Sequence, residues 1–378
     1  MKRLRICLLE PWYGGSHRRW ADGLVQHSRH DIEILSLPAR HWKWRMHGAA
    51  VTLARQVIDS GSEFDCFLAN DMMDVAVFTA LIRQAGIRAP VAVYFHENQI
   101  SYPLSPRDTD IPEARDLHYG WINYTSALVA IKVYFNSRYH KESFLSALPV
   151  FLKRYPDSAN PGTVDTIAAK SEVLPLGMDL KALDSYRPRN QEEKSVPLIL
   201  WNHRWEYDKC PDDFLQILLQ LHRRGLDFEV ALLGERGVEE PARLAETREV
   251  LGPAIVHDGP VDAFPEYARW LWRADILPVT SRQDFFGGSV VEAIYAGCHP
   301  VLPRRLAYPG HLNDGSVFYE TLEEAVERTA SLIESGAWQS PFRQSATVGR
   351  YDWTRLAGQY DAALAAVAFL SDSGCHRP

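Results

Sequence analysis

Short apolar runs typical of buried β-strands alternate with helical segments along the whole chain, and this alternation constrains the fold more than any other feature. In the first half the strand-like runs are Leu4–Glu10, Ile32–Leu37, Cys66–Ala69, Val91–Phe95 and Lys132–Asn136. Strands that alternate with helices predict mostly parallel sheets with helices on both faces. We therefore predict an α/β fold, with ligands bound beyond the carboxyl ends of the strands.

The alternation begins again after a polar stretch, which predicts a second domain. Further strand-like runs are expected at 198–202, 228–233, 254–257, 275–280 and 300–302, and a long helix from Trp353 to Leu370. The polar stretch Arg187–Ser195 has the composition of a linker, and 378 residues suffice for two hydrophobic cores. We place the domains at 1–180 and 190–352, and a C-terminal helix and tail at 353–378.

A strand is joined to a helix by the glycine turn in the run Asp284–Cys298. Gly287, Gly288 and Ser289 can offer unpaired amide groups at the helix start, and glycine lets the backbone approach a ligand closely. This turn predicts an anion site.

Two acids flank the glycine turn, Asp284 in the loop and Glu292 on the second turn of the helix. Each carboxylate can accept hydrogen bonds from a diol, one on either side of a diphosphate. The spacing suits a nucleotide sugar. The alternative is that both are ordinary surface acids, because a motif match is only a hypothesis.

Two cations follow the first strand of the second half. Arg204 and Lys209 lie five positions apart across a turn, so both side chains could converge on one diphosphate. The alternative is a pair of solvated surface cations. The nearby Asp284–Glu292 turn favours phosphate binding.

Polar residues also follow two strands of the first half. Gly14, Gly15 and His17 come after the first strand, and the group His96, Glu97, Asn98 and Gln99 comes after Val91–Phe95. The glycines could approach a ligand or form a plain turn, and they lack the three-glycine dinucleotide motif. A lone histidine at such a place is often structural, but four consecutive polar side chains favour a functional site.

A basic and aromatic segment lies early in the chain, with the side chains Arg40, Trp42, Lys43, Trp44 and Arg45. Such a segment can bind phosphates and stack an unpaired base. The alternative is the start of an amphipathic helix whose tryptophans pack into the core. Residues 1–60 hold 10 Lys and Arg against 5 Asp and Glu, although the whole chain carries a net charge of −7. A polyanionic partner is therefore expected to bind here.

Cysteine and histidine spacing, and the lengths of the apolar runs, limit the remaining possibilities. No cluster has the spacing of a metal site, so we expect no metal in the chemistry. The cysteines (Cys7, Cys66, Cys210, Cys298 and Cys375) are scattered, which favours a reducing, cytoplasmic location. No apolar run reaches the roughly 18 residues of a membrane span.

With these motifs taken together, the chain resembles the tRNA-queuosine α-mannosyltransferases, a branch of the retaining glycosyltransferase family 4 with the GT-B fold. The motifs that carry the resemblance are EPWYGGSH, LPARHWKWR, YFHENQISYP, YFNSRYHKESF, WNHRWEYDKCPDDF and FFGGSVVEAIYAGCHP. They are distributed over nearly the whole chain. The resemblance implies two Rossmann-like domains that face each other across a cleft, with the C-terminal helix crossing back to the first domain.

The resemblance also implies roles for matching residues. Arg204 and Lys209 would bind the donor diphosphate, Glu292 the ribose and Asp284 the sugar hydroxyls. The loop from Phe286 to Ser289 would contact the donor, as would Gly14 and Gly15, and His96 would lie near the transferred sugar. His17, the 40–45 side chains and Glu97 to Gln99 would face the acceptor. The family's first acid is usually glutamate, and here it is aspartate, one methylene shorter.

The implied reaction moves mannose from GDP-mannose to a cyclopentene hydroxyl of queuosine at the wobble position of tRNA, with retention and without a cofactor. The implied partners are GDP-mannose and the tRNA anticodon loop, with no membrane. Two other functions stay open. One is a family-4 transferase acting on a small or lipid-linked acceptor, and the other is a non-catalytic module that binds nucleotide sugars or RNA.

Overall fold

A computed structural model describes residues 2–103, 117–189, 194–237 and 240–373, without the side chains of residues 371–373. The chain divides into two compact units. The first comprises residues 1–178 together with residues 353–378, and the second comprises residues 179–352. Residues 190–193 of the expected linker, and Cys375, lie outside the described residues.

The first unit is a parallel sheet with helices. Its strands are β1 (Arg5–Tyr13), β2 (Asp31–Pro38), β3 (Cys66–Asn70), β4 (Val91–Phe95), β5 (Lys132–Phe135) and β6 (Ser171–Val173), and its helices are α1 (Gly15–His27), α2 (Trp42–Ser60), α3 (Val75–Gln84), α4 (His118–Val129), α5 (Arg138–Leu152), α6 (Gly162–Ala169) and α13 (Trp353–Ser373). The strand order among the described residues is β2-β1-β3-β4-β5-β6. Five successive residues of β1, from Ile6 to Glu10, are fully buried, as expected for a strand covered on both faces.

The second unit repeats this architecture. Its strands are β7 (Leu198–Trp201), β8 (Glu229–Leu232), β9 (Ile255–Asp258), β10 (Ile276–Pro278), β11 (His299–Pro303) and β12 (Phe318–Tyr319), and its helices are α7 (Pro211–Arg223), α8 (Leu244–Leu251), α9 (Phe264–Arg273), α10 (Gly288–Tyr295), α11 (Leu322–Glu334) and α12 (Ser345–Val348). Short 3-10 helices cover Lys181–Tyr186, Tyr207–Lys209, Gly252–Ala254, Tyr308–Gly310, Gly315–Val317, Ala337–Gln339 and Gly349–Tyr351. The parallel strands run in the order β12-β11-β10-β7-β8-β9.

The last helix, α13, belongs to the first unit. Its Tyr360 hydroxyl accepts from the indole of Trp20 at 3.1 Å and donates to the carbonyl of Pro175 at 2.8 Å. The ring of Trp353, also fully buried, occupies the space beside Gly23, where an added Cβ would lie 2.0 Å from the indole nitrogen. The C-terminal helix is therefore part of the first hydrophobic core.

The α/β prediction is confirmed, and some element boundaries differ from it. Strand β1 extends beyond the predicted end at Glu10 to Tyr13, and α1 begins at Gly15. The edge strands β6 and β12 were not predicted. They have three and two residues, too few to show a period in the sequence.

Two further expectations concern membranes and thiols. Within the described ranges, no helix is both long and apolar enough to cross a membrane. Cys7, Cys66, Cys210 and Cys298 are free thiols. Burial raises the pKa of the Cys298 thiol well above its ordinary value, so it stays protonated and unreactive at neutral pH.

Candidate active site

The glycine turn before α10 has the geometry that the sequence predicts. Gly287 is in the left-handed region with φ of 82°, and α10 starts at the next residue. The amides of Val290 and Val291 both bond to the Gly287 carbonyl at 3.1 Å. In the described part of the chain the amides of Gly288 and Ser289 have no acceptor, so the helix start can bind an anion.

Asp284 lies in the loop before this turn, and both of its carboxylate oxygens are engaged. Oδ1 is 3.3 Å from the ammonium of Lys209, and Oδ2 accepts from the hydroxyl of Tyr308 at 2.7 Å. Burial alone would raise the pKa of Asp284, but the charge of Lys209 and the hydrogen bonds from Tyr308 and Lys209 together outweigh burial and lower it. The carboxylate is therefore ionised, with only 16% of its side chain exposed, and it is not an ordinary surface acid.

Lys209 is buried rather than solvated, with 12% of its side chain exposed. Its ammonium lies 3.2 Å from Asp208 and 3.3 Å from Asp284, and it donates to the carbonyl of Gln283 at 2.7 Å. These acceptors match the three donors of an ammonium group. Contact with a diphosphate would replace one of them, so the immediate role of Lys209 is to keep Asp284 ionised and in place.

Arg204 has a different environment from Lys209. Its side chain is exposed, and within the ranges that the structure describes it makes no hydrogen bond or ion pair. The guanidinium remains charged at any physiological pH. Of the two predicted cations, Arg204 is the one available to an incoming anion.

Glu292 lies on the second turn of α10, as predicted, and is 7% exposed. Its Oε2 accepts from the hydroxyl of Tyr267 at 2.8 Å. Asn202, just after β7, donates to the Ser289 carbonyl at 2.8 Å and lies 3.3 Å from the Tyr267 hydroxyl. The carboxylate is thus fixed in direction, and the surface-acid alternative is wrong for Glu292 as well.

His203 belongs to this group, although the sequence predicted no role for it. Its Nδ1 is 3.1 Å from the hydroxyl of Ser289. Burial lowers the pKa of His203 to about 4, so the ring is neutral at pH 7. The side chain therefore connects the end of β7 to the start of α10 by a neutral hydrogen bond.

In the first unit, the glycine turn after β1 places His17 next to a buried carboxylate. Gly14 is extended and a Cβ there would lie 2.5 Å from that of Ala39, so a side chain would clash. The Nδ1 of His17 is 3.4 Å from Oε1 of Glu10, which is fully buried. Burial disfavours the charged ring, but the Glu10 carboxylate, with smaller contributions from Asp71 and Glu97, outweighs burial and raises the pKa of His17 to about 9. His17 is therefore an imidazolium at pH 7.

His96 lies against His17, with ring centroids 4.2 Å apart. Its backbone amide donates to Asp71 at 2.8 Å. Burial and the nearby charge of His17 lower the pKa of His96 well below its ordinary value, so this ring is neutral. Its Nε2 is buried and has no partner among the described residues, which leaves one polar atom for a ligand.

Glu10, His17 and His96 form a group that could in principle hold a metal, and the sequence did not indicate it. One ligand atom from each lies within 4.8 Å of the others. Ligand atoms around a tetrahedral zinc ion lie about 3.3 Å apart, given bonds of about 2.0 Å. The three side chains would have to move closer to one another to bind zinc. Their arrangement fits a buried ion pair with a neutral neighbour better.

The loop after His96 is held by its own side chains. Asn98 is fully buried, and its amide oxygen accepts from the backbone of Ile100 at 3.1 Å and of Ser101 at 2.8 Å. The side-chain amide of Gln99 donates to the Glu97 carboxylate at 3.0 Å. Asn98 therefore shapes the loop, and its burial does not support the predicted contact with an acceptor.

Some side chains of the basic and aromatic segment are used within the fold, and others are accessible to a partner. Trp42 packs on the cluster of Met46, Met72 and Ile122, as the core alternative expects. Arg45 turns back to the Pro38 carbonyl, at 3.2 Å and 3.3 Å. Both side chains are used in folding, which does not support their predicted contact with a partner.

The remaining side chains of this segment are more accessible. Trp44 is 64% exposed, and its ring lies over Gly48, where a Cβ would be 2.7 Å away. Arg40 is exposed, and the ammonium of Lys43 is 5.8 Å from the centre of the Trp42 ring. The exposed Trp44 ring, with cations close to it in the sequence, is the part of this segment accessible to a partner.

The fold is shared with several solved structures. Anabaena HepE, crystallised with UDP and glucose, is 16% identical, with a TM-score of 0.63 over 96% of this chain and 100% of that chain. Sucrose-phosphate synthase from Thermosynechococcus elongatus is 14% identical, with a TM-score of 0.69 over 96% and 100% of the two chains. The two units with their parallel sheets therefore have the GT-B fold.

Sequence comparison identifies the family within this class. Residues 5–178 match the family described as "tRNA-queuosine alpha-mannosyltransferase N-terminal". A Drosophila melanogaster protein named tRNA-queuosine alpha-mannosyltransferase is 34% identical over 312 residues, which are 80% of each chain. The chain belongs to the tRNA-queuosine alpha-mannosyltransferase family. The predicted family and enzyme class are confirmed.

Proposed function

We propose that this glycosyltransferase moves mannose from GDP-mannose to a cyclopentene hydroxyl of queuosine in tRNA, with retention of the anomeric configuration. The observation that carries the proposal is the 34% identity with a tRNA-queuosine alpha-mannosyltransferase over 80% of both chains. A tRNA substrate implies a cytoplasmic protein. The arrangement of the two candidate sites supports the assignment of donor and acceptor.

The donor's nucleotide is assigned to the second unit. Glu292, oriented by Tyr267, accepts from the ribose hydroxyls, and the free amides of α10 bind the diphosphate together with Arg204. Charge on the diphosphate is met by protein groups, so donor binding is expected to be independent of a divalent metal. Asp284, held ionised by Lys209, accepts from hydroxyls of the transferred sugar.

The transfer breaks the bond between the anomeric carbon and the diphosphate oxygen, and the electron pair leaves with GDP. The acceptor hydroxyl oxygen forms the new bond on the same face, and the departing diphosphate takes its proton. Preorganised donors aimed at the growing negative charge are each worth roughly 10²–10³ in rate. Arg204 and the first amides of α10 supply that stabilisation.

The acceptor is assigned to the first unit through Arg40, Lys43 and Trp44. Single-stranded RNA loops are bound by base stacking on aromatic faces and by cations on phosphates. The exposed Trp44 ring and the cations Arg40 and Lys43 of the same segment offer both. Neutral His96, whose buried Nε2 has no partner among the described residues, is the candidate contact to a sugar hydroxyl.

The direct test combines the purified protein with GDP-mannose and queuosine-containing tRNA, followed by mass measurement of the released nucleosides. A gain of one hexose on queuosine is expected. Transfer to a small or lipid-linked acceptor without RNA would favour a different family-4 activity. Donor binding without any transfer would favour a non-catalytic module.

Donor assignment is tested by thermal shift with GDP, UDP and ADP, each with and without EDTA. A ligand at ~100 times its dissociation constant adds roughly 2.7 kcal/mol of apparent stability. GDP should give the largest shift, unchanged by EDTA. The Arg204→Ala variant should lose most of that shift, whereas Arg223→Ala, an exposed arginine on α7, should keep it. Equal shifts from all nucleotides, or loss with EDTA, would contradict the assignment.

Acceptor assignment is tested by the salt dependence of tRNA binding. Replacing Arg40 and Lys43 with alanine should lower the slope of log affinity against log salt by about 0.7–0.9 for each lost phosphate contact. Trp44→Ala should weaken binding by about 1–3 kcal/mol with little change in slope. Unchanged tRNA binding in both variants would place the RNA elsewhere on the protein.

A further inference from the structure

The loop from Asp284 to Gly287 is held at both ends by one short stretch, Tyr308 to His311, which we call the 308–311 segment. The Tyr308 hydroxyl donates to Oδ2 of Asp284 at 2.7 Å. The Nε2 of His311 lies 2.6 Å from the carbonyl of Phe286. No motif in the sequence connected this segment with the donor site. The two hydrogen bonds restrain the loop from one side.

The His311 contact has a defined direction. A carbonyl can only accept, so Nε2 of His311 must carry the proton. Its Nδ1 is then free to accept from the hydroxyl of Tyr351, 3.0 Å away. Burial lowers the pKa of His311 to about 4, so the neutral ring keeps this single tautomer at pH 7. The Phe286 end of the loop is therefore fixed by an uncharged donor.

Tyr308 cannot turn away from Asp284 easily, because its ring is enclosed. The side chain is fully buried. Gly287 approaches the ring so closely that an added Cβ would lie 2.9 Å from Cε1 of Tyr308. Because the Tyr308 ring has no free space in which to move, the surrounding core fixes the position of its hydroxyl. The direction of the Asp284 carboxylate is set in turn.

Asp284 is thus fixed at both oxygens, one by Tyr308 and the other by Lys209. Each carboxylate oxygen can accept two hydrogen bonds. One acceptor position on each oxygen remains for a ligand, and its direction is determined by the groups already bound. A carboxylate with fixed free lone pairs can discriminate between sugars that differ in the configuration of one hydroxyl.

We propose that Tyr308 is a positioning residue that orients the Asp284 carboxylate and thereby selects the sugar of the donor. The inference rests on the proposed function, in which Asp284 accepts from hydroxyls of the transferred sugar. A sugar with the wrong configuration leaves a carboxylate lone pair unpaired in a buried site, which costs binding. The aspartate, one methylene shorter than glutamate, retracts the carboxylate toward its own backbone, where Tyr308 reaches it.

The test is the Tyr308→Phe variant, which removes one oxygen and keeps the ring against Gly287. The kcat/KM with GDP-mannose should fall about 10- to 100-fold, the size expected for one hydrogen bond to a charged group. The preference for GDP-mannose over GDP-glucose, which differs at one hydroxyl, should narrow by a similar factor. The affinity for GDP, which lacks the sugar, should stay within about twofold.

Tyr319→Phe is the matched control. Tyr319 is also buried in the second unit, and its hydroxyl donates to the Val279 carbonyl at 2.7 Å rather than to the loop. It should keep the donor preference of the wild type. An equal loss in both variants would mean that any missing buried hydroxyl has this effect, and would overturn the proposal.

A double-mutant cycle tests whether Tyr308 affects the donor preference through Asp284 or in some other way. Donor affinity is measured by calorimetry, so that a catalytically inactive variant still gives a result. In an Asp284→Ala background, Tyr308→Phe should no longer change the preference between the two donor sugars. An undiminished effect in that background would overturn the proposal.

The outcome for the wild type distinguishes this inference from the proposed function. Wild-type protein that transfers nothing from GDP-mannose would overturn the proposed function, and this inference with it. Active wild-type protein with an unchanged Tyr308→Phe variant would overturn this inference alone.

Discussion

The buried pair of Glu10 and His17 makes the stability of the first unit depend on pH in a predictable way. The rise in the pKa of His17 from 6.5 to about 9 corresponds to about 3 kcal/mol of stability, since each pKa unit is worth about 1.4 kcal/mol. The folded pKa lies above the unfolded one. The contribution is therefore complete below pH 6.5 and is lost as the pH rises through 9.

Replacing Glu10 with glutamine should remove this contribution with little change in shape. The backbone amide of Trp12, which donates to Oε1 at 2.9 Å, can donate to a glutamine oxygen as well. Asn70, whose amide nitrogen faces Glu10, has an unpaired amide oxygen and can rotate to accept from the new amide. The pKa of His17 would then fall, because the carboxylate that raises it most is gone and burial still lowers it. The expected loss at pH 6 is about 3 kcal/mol.

Denaturant unfolding of the wild type and of the Glu10→Gln variant, from pH 6 to pH 10, measures this directly. The difference in unfolding free energy should shrink to below about 1 kcal/mol at pH 10. Glu33→Gln is the control, because Glu33 pairs with Arg5 at 3.0 Å on the surface, and it should change stability by less than about 0.5 kcal/mol at each pH. A loss independent of pH would refute the charged state of His17.

Three further substitutions test the packing described above. Gly23→Ala should destabilise the protein by more than about 3 kcal/mol, as measured by denaturant unfolding, because a Cβ would lie 2.0 Å from the ring of Trp353. Gly287→Ala should lower GDP affinity in calorimetry, because φ is 82° there and the new Cβ meets Tyr308; unchanged affinity would contradict the assigned role of the turn. Trp42→Ala should lower the free energy of unfolding by about 3 kcal/mol, because the ring no longer packs on the methionine cluster. This loss should be measured in the absence of RNA.

The sequence was informative wherever structure depends on neighbours along the chain. Strand β4 occupies the predicted residues because five consecutive apolar side chains are buried on both faces. The turn at Gly287 and the position of Glu292 on α10 also follow from local spacing. Local patterns of this kind depend on backbone conformation and helical period, which a single sequence shows directly.

Features that depend on packing between residues far apart in the sequence could not be predicted. Tyr308 is 24 residues from Asp284, and their hydrogen bond depends on how the ends of β10 and β11 meet in one sheet. The sequence shows His17 and Glu10, but the charge of the imidazole follows from the fold, which places the Glu10 carboxylate 3.4 Å from the ring. The same limit applies to Trp42 and Trp44, which look alike in the sequence and differ because only Trp42 packs on the methionine cluster.

The place of α13 has a consequence for synthesis of the chain. Because residues 353–378 complete the first unit, residues 179–352 are an insertion within it. A ribosome delivers the first sheet long before it delivers the helix carrying Trp353 and Tyr360, whose side chains fill its core. The inserted unit is therefore expected to be able to fold first, while the unit that begins the chain waits for its last helix. A released chain that ends at Asp352 should be cleaved by protease within residues 1–178, while residues 179–352 resist.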